Sequence, residues 1–514
     1  MREVFFCGFL SSEMDKGAAE MLRPKNRNFF RDAGGNVAML FSLMLVPIVV
    51  MGGGAVDFNM AMNARGRLAE SLDAAALAIG ASPNLSQEGI AGLATSIVNA
   101  NYPTREFGDL GPIMVSIDDT NNIVTVAGTS VVQTAFLGLI GIDHLTVYWE
   151  SEVRRARTSL EVVMVLDNTG SMSGSKISAL RDAAHLLTEI LHDNADDPDQ
   201  LEIGLVPFSS TVNVGTQFER AWWLDPDGLS PVHSNNFDPP ANRWDVIDSM
   251  LYEQWDGCVE AREIPYDVED EEPDPGDPAT LFVPYFAPDE PSYFSGYSNS
   301  YMSDGMGGYD QLARLMNSNK YAGVNPSGAA SNWGCTARPI TALTTSRNTI
   351  DNAISAMIAS GTTNIPIGIS WGVRVLSPQA PFTEGNDYDD DDNIKAMVIL
   401  TDGENVINGR SNLNYSDYSG YGYIREGRLG VVTSSSWALG NALDARTAAA
   451  CAYARAQGIR IYTITFQVSS QSTRDMMREC ASHPSLYFDS PSNEALRNAF
   501  ELIAGDLTNL RLSR

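Results

Sequence analysis

A strand, a short loop and a helix follow one another between Leu160 and Leu191. Leu160 to Leu166 is a nearly unbroken apolar run with three valines, which is typical of a strand buried on both faces of a parallel sheet. From Ser175 onward, apolar residues recur at helical spacing. The loop between them therefore lies beyond the carboxyl end of a strand, where open α/β sheets bind ligands.

This loop carries side-chain oxygens at alternate positions, on Asp167, Thr169 and Ser171. Oxygen ligands suit a hard cation such as Mg²⁺. Taken alone, the pattern fits a helix N-cap equally well, because Ser and Thr often satisfy the free N–H groups at a helix start. Two further oxygen donors favour the cation, since Thr363 in GTTNI and Asp402 in MVILTDG also follow predicted strand ends.

The three segments together resemble the metal-ion-dependent adhesion site (MIDAS) of von Willebrand factor A (vWA) domains. The resemblance implies a vWA-type doubly wound, mostly parallel sheet and one divalent cation, Mg²⁺ first, with Ca²⁺ or Mn²⁺ as alternatives. Thr363 is preferred to Thr362 because it directly precedes Asn-Ile, as in the family pattern. In that family an open coordination position accepts a carboxylate from a partner. The metal ligands implied are Asp167, Thr169, Ser171, Thr363 and Asp402.

Charge and motifs limit the classes of function. The net charge of −30 argues against nucleic acid as a partner, because phosphate binding needs a basic face. None of the five histidines lies in an H-E-x-x-H motif, and no G-x-S-x-G elbow surrounds Ser171. A phosphatase of the haloacid-dehalogenase type is a remote alternative, but Thr169 stands where that family has its second acidic residue. We therefore expect a binding protein without a small-molecule substrate, not an enzyme.

Val37 to Val56 is an uncharged apolar run of membrane-spanning length. A signal peptide is the alternative, although the run ends in Gly-Gly-Gly-Ala-Val-Asp57 and not in an A-x-A-like site. Basic residues precede the run, so the positive-inside rule predicts a cytoplasmic N-terminus over residues 1–35, one span over 36–56, and an external remainder. The basic residues are Arg23, Lys25, Arg27 and Arg31.

Residues 57–157 are expected to form a helix that continues the span and a small β-rich module. Asn63 to Ala81 is rich in alanine and leucine, and Ile113 to Val153 alternates apolar and polar residues as strands do. Phe136 to Ile142 (FLGLIGI) is too short to cross a bilayer, so we expect it to be core. The whole region is predicted to be an α+β membrane-proximal unit.

The segment from Gly35 through Ala78, together with the LDNTGSM, PFS, WDGC and TDGEN segments, resembles TadG-like proteins of the Flp/Tad pilus-assembly system. The resemblance implies a membrane-anchored component of pilus assembly and tight adherence in the bacterial inner membrane, with a periplasmic domain. Its partners would be other Tad/Flp components or surface proteins, bound through an acidic side chain. A surface-exposed or secreted vWA adhesin is the alternative.

Residues 158–510 are predicted to form the vWA domain, with an insertion at about 213–335 where the regular α/β pattern stops. Four cysteines follow the apolar run, an even number that fits two disulfides in an oxidising compartment. Three pairings are open, and we favour Cys258–Cys335, at the base of the insertion, and Cys451–Cys480. The acidic run DYDDDD before Ile394 is expected to be a solvated loop, with an auxiliary Ca²⁺ site as the alternative.

Overall fold

A single helix, α1 (Gly35–Gly80), contains both the apolar run and the alanine-rich segment. The structure is a computed structural model that describes residues 35–80, 82, 87–118, 123–154, 158–195, 198–292, 296–303 and 311–513. The expected cytoplasmic segment and its basic residues lie outside the described residues. Residues Ala38 to Val49 of α1 are exposed, whereas Leu68, Leu72 and Ile79 in its second half are fully buried. One N-terminal apolar helix thus has the length and composition to cross a membrane.

The chain divides into two compact units between Arg154 and Arg155. In the first unit, the second half of α1 packs with a helix and a four-stranded antiparallel sheet around a small apolar core. The central strand β3 pairs with β1, β2 and β4. The remaining elements are α2 (Gln87–Asn101), α3 (Thr104–Phe107), β1 (Asp109–Leu110), β2 (Met114–Asp118), β3 (Ile123–Gln133) and β4 (His144–Arg154).

The expectation that Phe136 to Ile142 is core was wrong. The segment forms a 3₁₀ turn, Leu137–Ile140, between β3 and β4, and it exposes Leu139, Ile140 and Ile142. Its apolar residues are not needed to fill the unit, because α1, α2 and the sheet already enclose the core between them.

The second unit begins with the predicted strand–loop–helix. Its helices and strands largely alternate along the chain. They are β5 (Ser159–Asp167), α4 (Ser175–Asp193), β6 (Leu201–Phe208), β7 (Val212–Asn213), α5 (Arg243–Ser249), β8 (Cys258–Val259), α6 (Gln311–Met316), β9 (Thr341–Thr344), α7 (Arg347–Ala356), α8 (Ile365–Leu376), β10 (Asn393–Thr401), α9 (Ser436–Ala456), β11 (Arg460–Phe466), α10 (Gln471–Cys480), β12 (Tyr487–Ser490) and α11 (Asn493–Ser513).

These strands form one sheet in the order β12-β11-β10-β5-β6-β7-β8, with β9 also paired to β6. The strands from β12 to β6 are parallel to their neighbours, and β7, β8 and β9 are antiparallel additions. The fold is therefore mixed α/β with a mostly parallel sheet. β5 lies at its centre, with β10 on one side and β6 on the other.

Alternate residues of β5 point into two different cores, because successive side chains of a strand face opposite sides. Val163 and Val165 belong to the cluster that contains α8, α9 and α10, whereas Val162 and Met164 belong to the cluster that contains α4, α7 and α11. Helices thus cover both faces of the sheet. This double coverage explains why the strand is apolar throughout and does not alternate.

The insertion is built into the second unit. Its short strands β7 and β8 extend the sheet, and its buried aromatic residues Trp223, Trp244 and Phe282 share a core with Val165. Disulfides join Cys258 to Cys335 and Cys451 to Cys480, the two pairings favoured from the sequence. The insertion therefore completes one side of the sheet.

Candidate metal centre

Two adjacent parallel strands bring the predicted loops together. Leu166 on β5 pairs with Leu400 on β10, so Asp167 and Asp402 follow neighbouring positions at the carboxyl edge of the sheet. After Asp167 the chain makes a short 3₁₀ turn, Gly170–Met172, before α4 begins. The two carboxylates therefore lie at the carboxyl edge of the sheet, where the sequence predicted them.

Asp167 is fully buried and bonded on both oxygens. Its Oδ1 accepts the main-chain N–H of Thr169 at 2.8 Å, and its Oδ2 accepts the hydroxyl of Thr401, also at 2.8 Å. Burial, followed by repulsion from Asp402, raises the pKa of Asp167 to about 6. Two carboxylates held close together away from water favour a positive charge between them.

A chain of hydrogen bonds links the first loop to the second carboxylate. The Thr169 and Ser171 hydroxyl oxygens lie 2.9 Å apart, and the Ser171 hydroxyl donates to Asp402 Oδ1 at 2.5 Å. The other oxygen of Asp402 accepts the Lys176 ammonium at 2.6 Å. Four of the five expected ligands, Asp167 among them, thus form one connected group.

Thr363 lies between α7 and α8, and not after a strand as expected, because a helix and not a strand precedes its loop. It joins this group through its main chain. The Gly170 N–H donates to the carbonyl of Gly361 at 3.0 Å, and the Val406 N–H donates to the carbonyl of Thr363 at 2.8 Å. The loop that carries Thr363 is therefore held against both carboxylate loops. Thr363 itself is buried, at 5% exposure.

Helix α8 sets the position of this loop. Its Gly368 and Gly372 pack against β5, where added Cβ atoms would lie 3.1 Å and 2.6 Å from the two γ-methyl groups of Val165. Asn405 holds the helix start from the other side, since its Oδ1 accepts the Ile365 N–H at 2.9 Å. The two glycines, which look unfavourable in a helix, thus allow the close packing that places Thr363.

Thr401 and Lys176 also belong to this group of side chains, although neither was predicted from the sequence. Thr401 is the last residue of β10 and bonds Asp167 directly. Lys176 lies in the first turn of α4, where the helix dipole disfavours a basic residue. That unfavourable position was a readable signal of a nearby acidic partner, and the partner is Asp402.

The donor set fits a hard divalent cation. Two carboxylates and three hydroxyls supply only oxygen, and few of these ligands carry charge, so a bound cation would keep much of its attraction for another anion. Within the part of the chain that the structure describes, no group of three or more His, Cys, Asp or Glu side chains is placed to hold a metal. A cation at Asp167 and Asp402 would therefore need the neighbouring hydroxyls among its ligands.

A cavity of about 440 Å³ lies beside the Thr363 loop. Gly361 and Thr362 form one wall, Trp333 and Gly334 of the insertion form another, and Tyr418 comes from the segment after β10. The insertion and the loop predicted to bind metal thus border the same space.

The N-terminal part of the chain matches one known protein family. Residues 35–82 match the Tad family, described as Flp pilus-assembly TadE/G-like, and this match lies in and just after α1. The search of curated proteins gave no match.

Three solved structures of pilus proteins are similar to this chain. The pilus adhesin SpaC from Lactobacillus rhamnosus GG is 13% identical with a TM-score of 0.32, covering 77% of this chain and 34% of that chain. The vWF domain of the type V pili tip protein Mfa5 from Porphyromonas gingivalis is 9% identical with a TM-score of 0.33, covering 70% and 97%. The PilB minor pilin from Streptococcus sanguinis is 13% identical with a TM-score of 0.30, covering 78% of each chain. This chain thus spans about a third of the SpaC structure.

Proposed function

We propose that this chain is a membrane-anchored component of a Tad/Flp pilus-assembly and tight-adherence system, and that it binds partner proteins through a divalent cation. Its second unit would be a vWA-type domain with a MIDAS-type site. The single observation that carries this proposal is the convergence of Asp167 and Asp402, with Thr169 and Ser171 between them, at one edge of the sheet.

The charged and the neutral ligands would have different roles. Asp167 and Asp402 neutralise the cation, while Thr169, Ser171 and Thr363 supply neutral oxygens. A cation held by only two carboxylates keeps affinity for a third, which a Glu or Asp of another protein would provide. The cavity bordered by Thr362 and the insertion offers space for residues that flank that acidic side chain.

Membrane anchorage is the second part of the proposal. The exposed apolar first half of α1 and the Tad family match over residues 35–82 support a single-pass anchor. By the positive-inside rule, the basic residues before α1 favour a cytoplasmic N-terminus, with the second unit and the part of the first unit after the span in the periplasm. Protease accessibility in intact cells and in spheroplasts tests this arrangement, and cleavage in intact cells would favour a surface adhesin instead.

Cation binding is tested with Mn²⁺ alone as the probe, by electron paramagnetic resonance on the full chain in nanodiscs. We expect Asp167→Ala to abolish Mn²⁺ binding, with Asp245→Ala, an exposed carboxylate of the insertion, as the matched control. Undiminished binding in Asp167→Ala would refute the site.

The role in assembly is tested in piliated cells that carry the same two variants. Equal protein levels with a loss of surface pili in Asp167→Ala would support cation-dependent assembly. Normal piliation of a variant that has lost Mn²⁺ binding would show that the cation has no part in it.

A further inference from the structure

The segment 136–142, here called the apolar loop, is fixed to α1 by one carboxylate. Asp57 on α1 accepts the main-chain N–H groups of Ala135, Phe136 and Leu137 at 3.0, 2.8 and 2.7 Å. Asp57 is 1% exposed, so these bonds satisfy a charge that water does not reach. The position of the loop along the helix is therefore defined.

Two glycines make room for the loop. An added Cβ at Gly53 would lie 2.2 Å from Cγ of Phe136, and one at Gly54 would lie 3.0 Å from Cδ2 of Leu137. Both contacts are closer than ordinary van der Waals distance, and the Gly53 contact is far too close for any side chain. The small residues at the end of the apolar run thus form the seat of the loop.

The loop nevertheless exposes its apolar tip. Leu139 is 67% exposed and Ile140 is 54% exposed. On α1, apolar side chains also remain exposed beyond the seat, at Phe58, Met60 and Met62. The tip therefore adjoins a helix whose exposed surface is apolar both before and after the contact.

The length of this apolar surface fixes the depth of the loop. From Met39 to Met62 the helix extends ~35 Å at about 1.5 Å per residue, more than the hydrocarbon core of a bilayer, which is about 30 Å thick. Between Val37 and Ala64 the only charged residue is Asp57. Arg65 lies ~12 Å beyond Asp57 along the helix axis. Its guanidinium stacks on Trp149, 4.8 Å from the ring centroid. An arginine on a tryptophan suits the headgroup region.

From this arrangement, and resting on the membrane anchorage proposed above, we infer that the apolar loop enters the outer hydrocarbon boundary of the bilayer beside α1. Its occupant is lipid, because the exposed tip is continuous with the helix surface that lipid itself must cover. At that depth water cannot accept hydrogen bonds from the main chain, and Asp57 accepts the three N–H groups instead. The loop would thus set the height and tilt of the first unit on the membrane.

The test uses the full chain in nanodiscs of phosphatidylethanolamine and phosphatidylglycerol, with Cys7→Ser as background and one NBD-labelled cysteine at a time. Leu139→Cys reports on the loop. Leu77→Cys is the matched control, an exposed leucine of α1 beyond Arg65. Met44→Cys, in the middle of the apolar run, reports insertion of α1 itself. We expect labels at 139 and 44 to show blue-shifted emission, quenching by doxyl lipids and little quenching by iodide, and the label at 77 to show the reverse.

Each other outcome has a distinct meaning. An aqueous signal at 139 with a lipid signal at 44 overturns the loop inference and leaves the anchorage intact, whereas an aqueous signal at 44 overturns both. Shielding at 139 that appears only when several chains share a disc would identify a second copy as the occupant and overturn the lipid inference. Gly53→Leu, added to Leu139→Cys, should expose the label at 139 to iodide, and an unchanged lipid signal there would contradict the seat. None of these results depends on Mn²⁺ binding or piliation.

Discussion

The ammonium of Lys176 lies 2.6 Å from Oδ2 of Asp402, whose side chain is fully buried. The same carboxylate accepts the Ser171 hydroxyl through its other oxygen. A covalently attached cation therefore already neutralises one of the two carboxylates of the proposed site. Any metal ion that binds Asp402 must compete with this ammonium or displace it.

Removing this competitor should tighten metal binding. We expect Lys176→Gln to raise the affinity for Mn²⁺ by about 10- to 150-fold, because a charge-assisted hydrogen bond contributes about 1.5–3 kcal/mol. Titration calorimetry on the full chain measures this change. Lys176→Arg keeps the charge and should bind Mn²⁺ as weakly as the wild type. Weaker binding in Lys176→Gln would mean that the ammonium helps to build the site.

The metal-free protein should be destabilised by Asp167 at neutral pH. Because burial and Asp402 raise the pKa of Asp167 from 3.8 to about 6, the folded state holds this proton more tightly than the unfolded state does. Its contribution to stability is complete below about pH 4 and is lost as the pH rises through about 6.

Asp167→Asn should remove the loss of stability that the metal-free protein shows above about pH 6. Its amide can accept the Thr169 N–H and donate to the Thr401 oxygen, so the local bonds survive. In EDTA at pH 7.5, we expect the variant to be more stable than the wild type by up to about 3 kcal/mol, with the advantage shrinking toward pH 4. Urea denaturation across this pH range measures it, and added Mg²⁺ should stabilise only the wild type. A variant less stable than the wild type at pH 7.5 would contradict the argument.

The choice between two adjacent threonines can be decided directly. Thr363 is buried in the loop held against both carboxylates, whereas Thr362 lines the neighbouring cavity. We expect Thr363→Ala to weaken Mn²⁺ binding by about fivefold, as for the loss of one polar interaction of about 1 kcal/mol. Thr362→Ala should leave affinity unchanged. The opposite pattern would assign the ligand to Thr362.

The insertion should depend on one buried carboxylate. Glu260 accepts Arg243 and Arg428, each at 2.5 Å, and the hydroxyl of Tyr418 also donates to it. Arg428 and Tyr418 belong to the segment after β10, so this group ties the insertion to the second carboxylate loop. Breaking a buried ion pair costs about 3–5 kcal/mol, and we expect Glu260→Gln to lower the free energy of unfolding by that amount.

Asp193→Asn is the matched control for Glu260→Gln, since it breaks only an exposed pair with Arg347 and should cost less than about 1 kcal/mol. Equal losses of stability in the two variants would mean that the Glu260 network does not hold the insertion. Limited proteolysis of the insertion provides an independent readout.

The long parallel strands and the loops after them were predictable because burial on both faces imposes continuous apolar runs. The apolar run Leu160 to Leu166 lies within β5, and the helix expected from Ser175 begins at that residue as α4. Local sequence could not predict β7, β8 or β9, which are two to four residues long and form only where β6 or one another offers an open edge. Their existence depends on contacts between distant parts of the chain.

The prediction that the apolar loop is buried in the core was wrong for a different reason. Apolar composition predicted burial, but the decisive contact is Asp57, nearly eighty residues earlier, which holds the loop outside the core. Lys176 illustrates the same limit from the other direction. Its unfavourable place in a first helical turn was visible, yet its partner Asp402 lies 226 positions away. Pattern within a segment cannot identify a partner in another segment.

The central position of β5 also fixes when the site can exist. During synthesis β5 can pair with β6 soon after both have emerged, but its other edge must wait for β10, which is 234 positions further on where Ser159 meets Asn393. Until β10 pairs with it, β5 is an edge strand, and Asp167 lacks the neighbouring carboxylate of Asp402. If the proposed function holds, a chain that ends before β10 lacks the second carboxylate and should not bind a partner through this site.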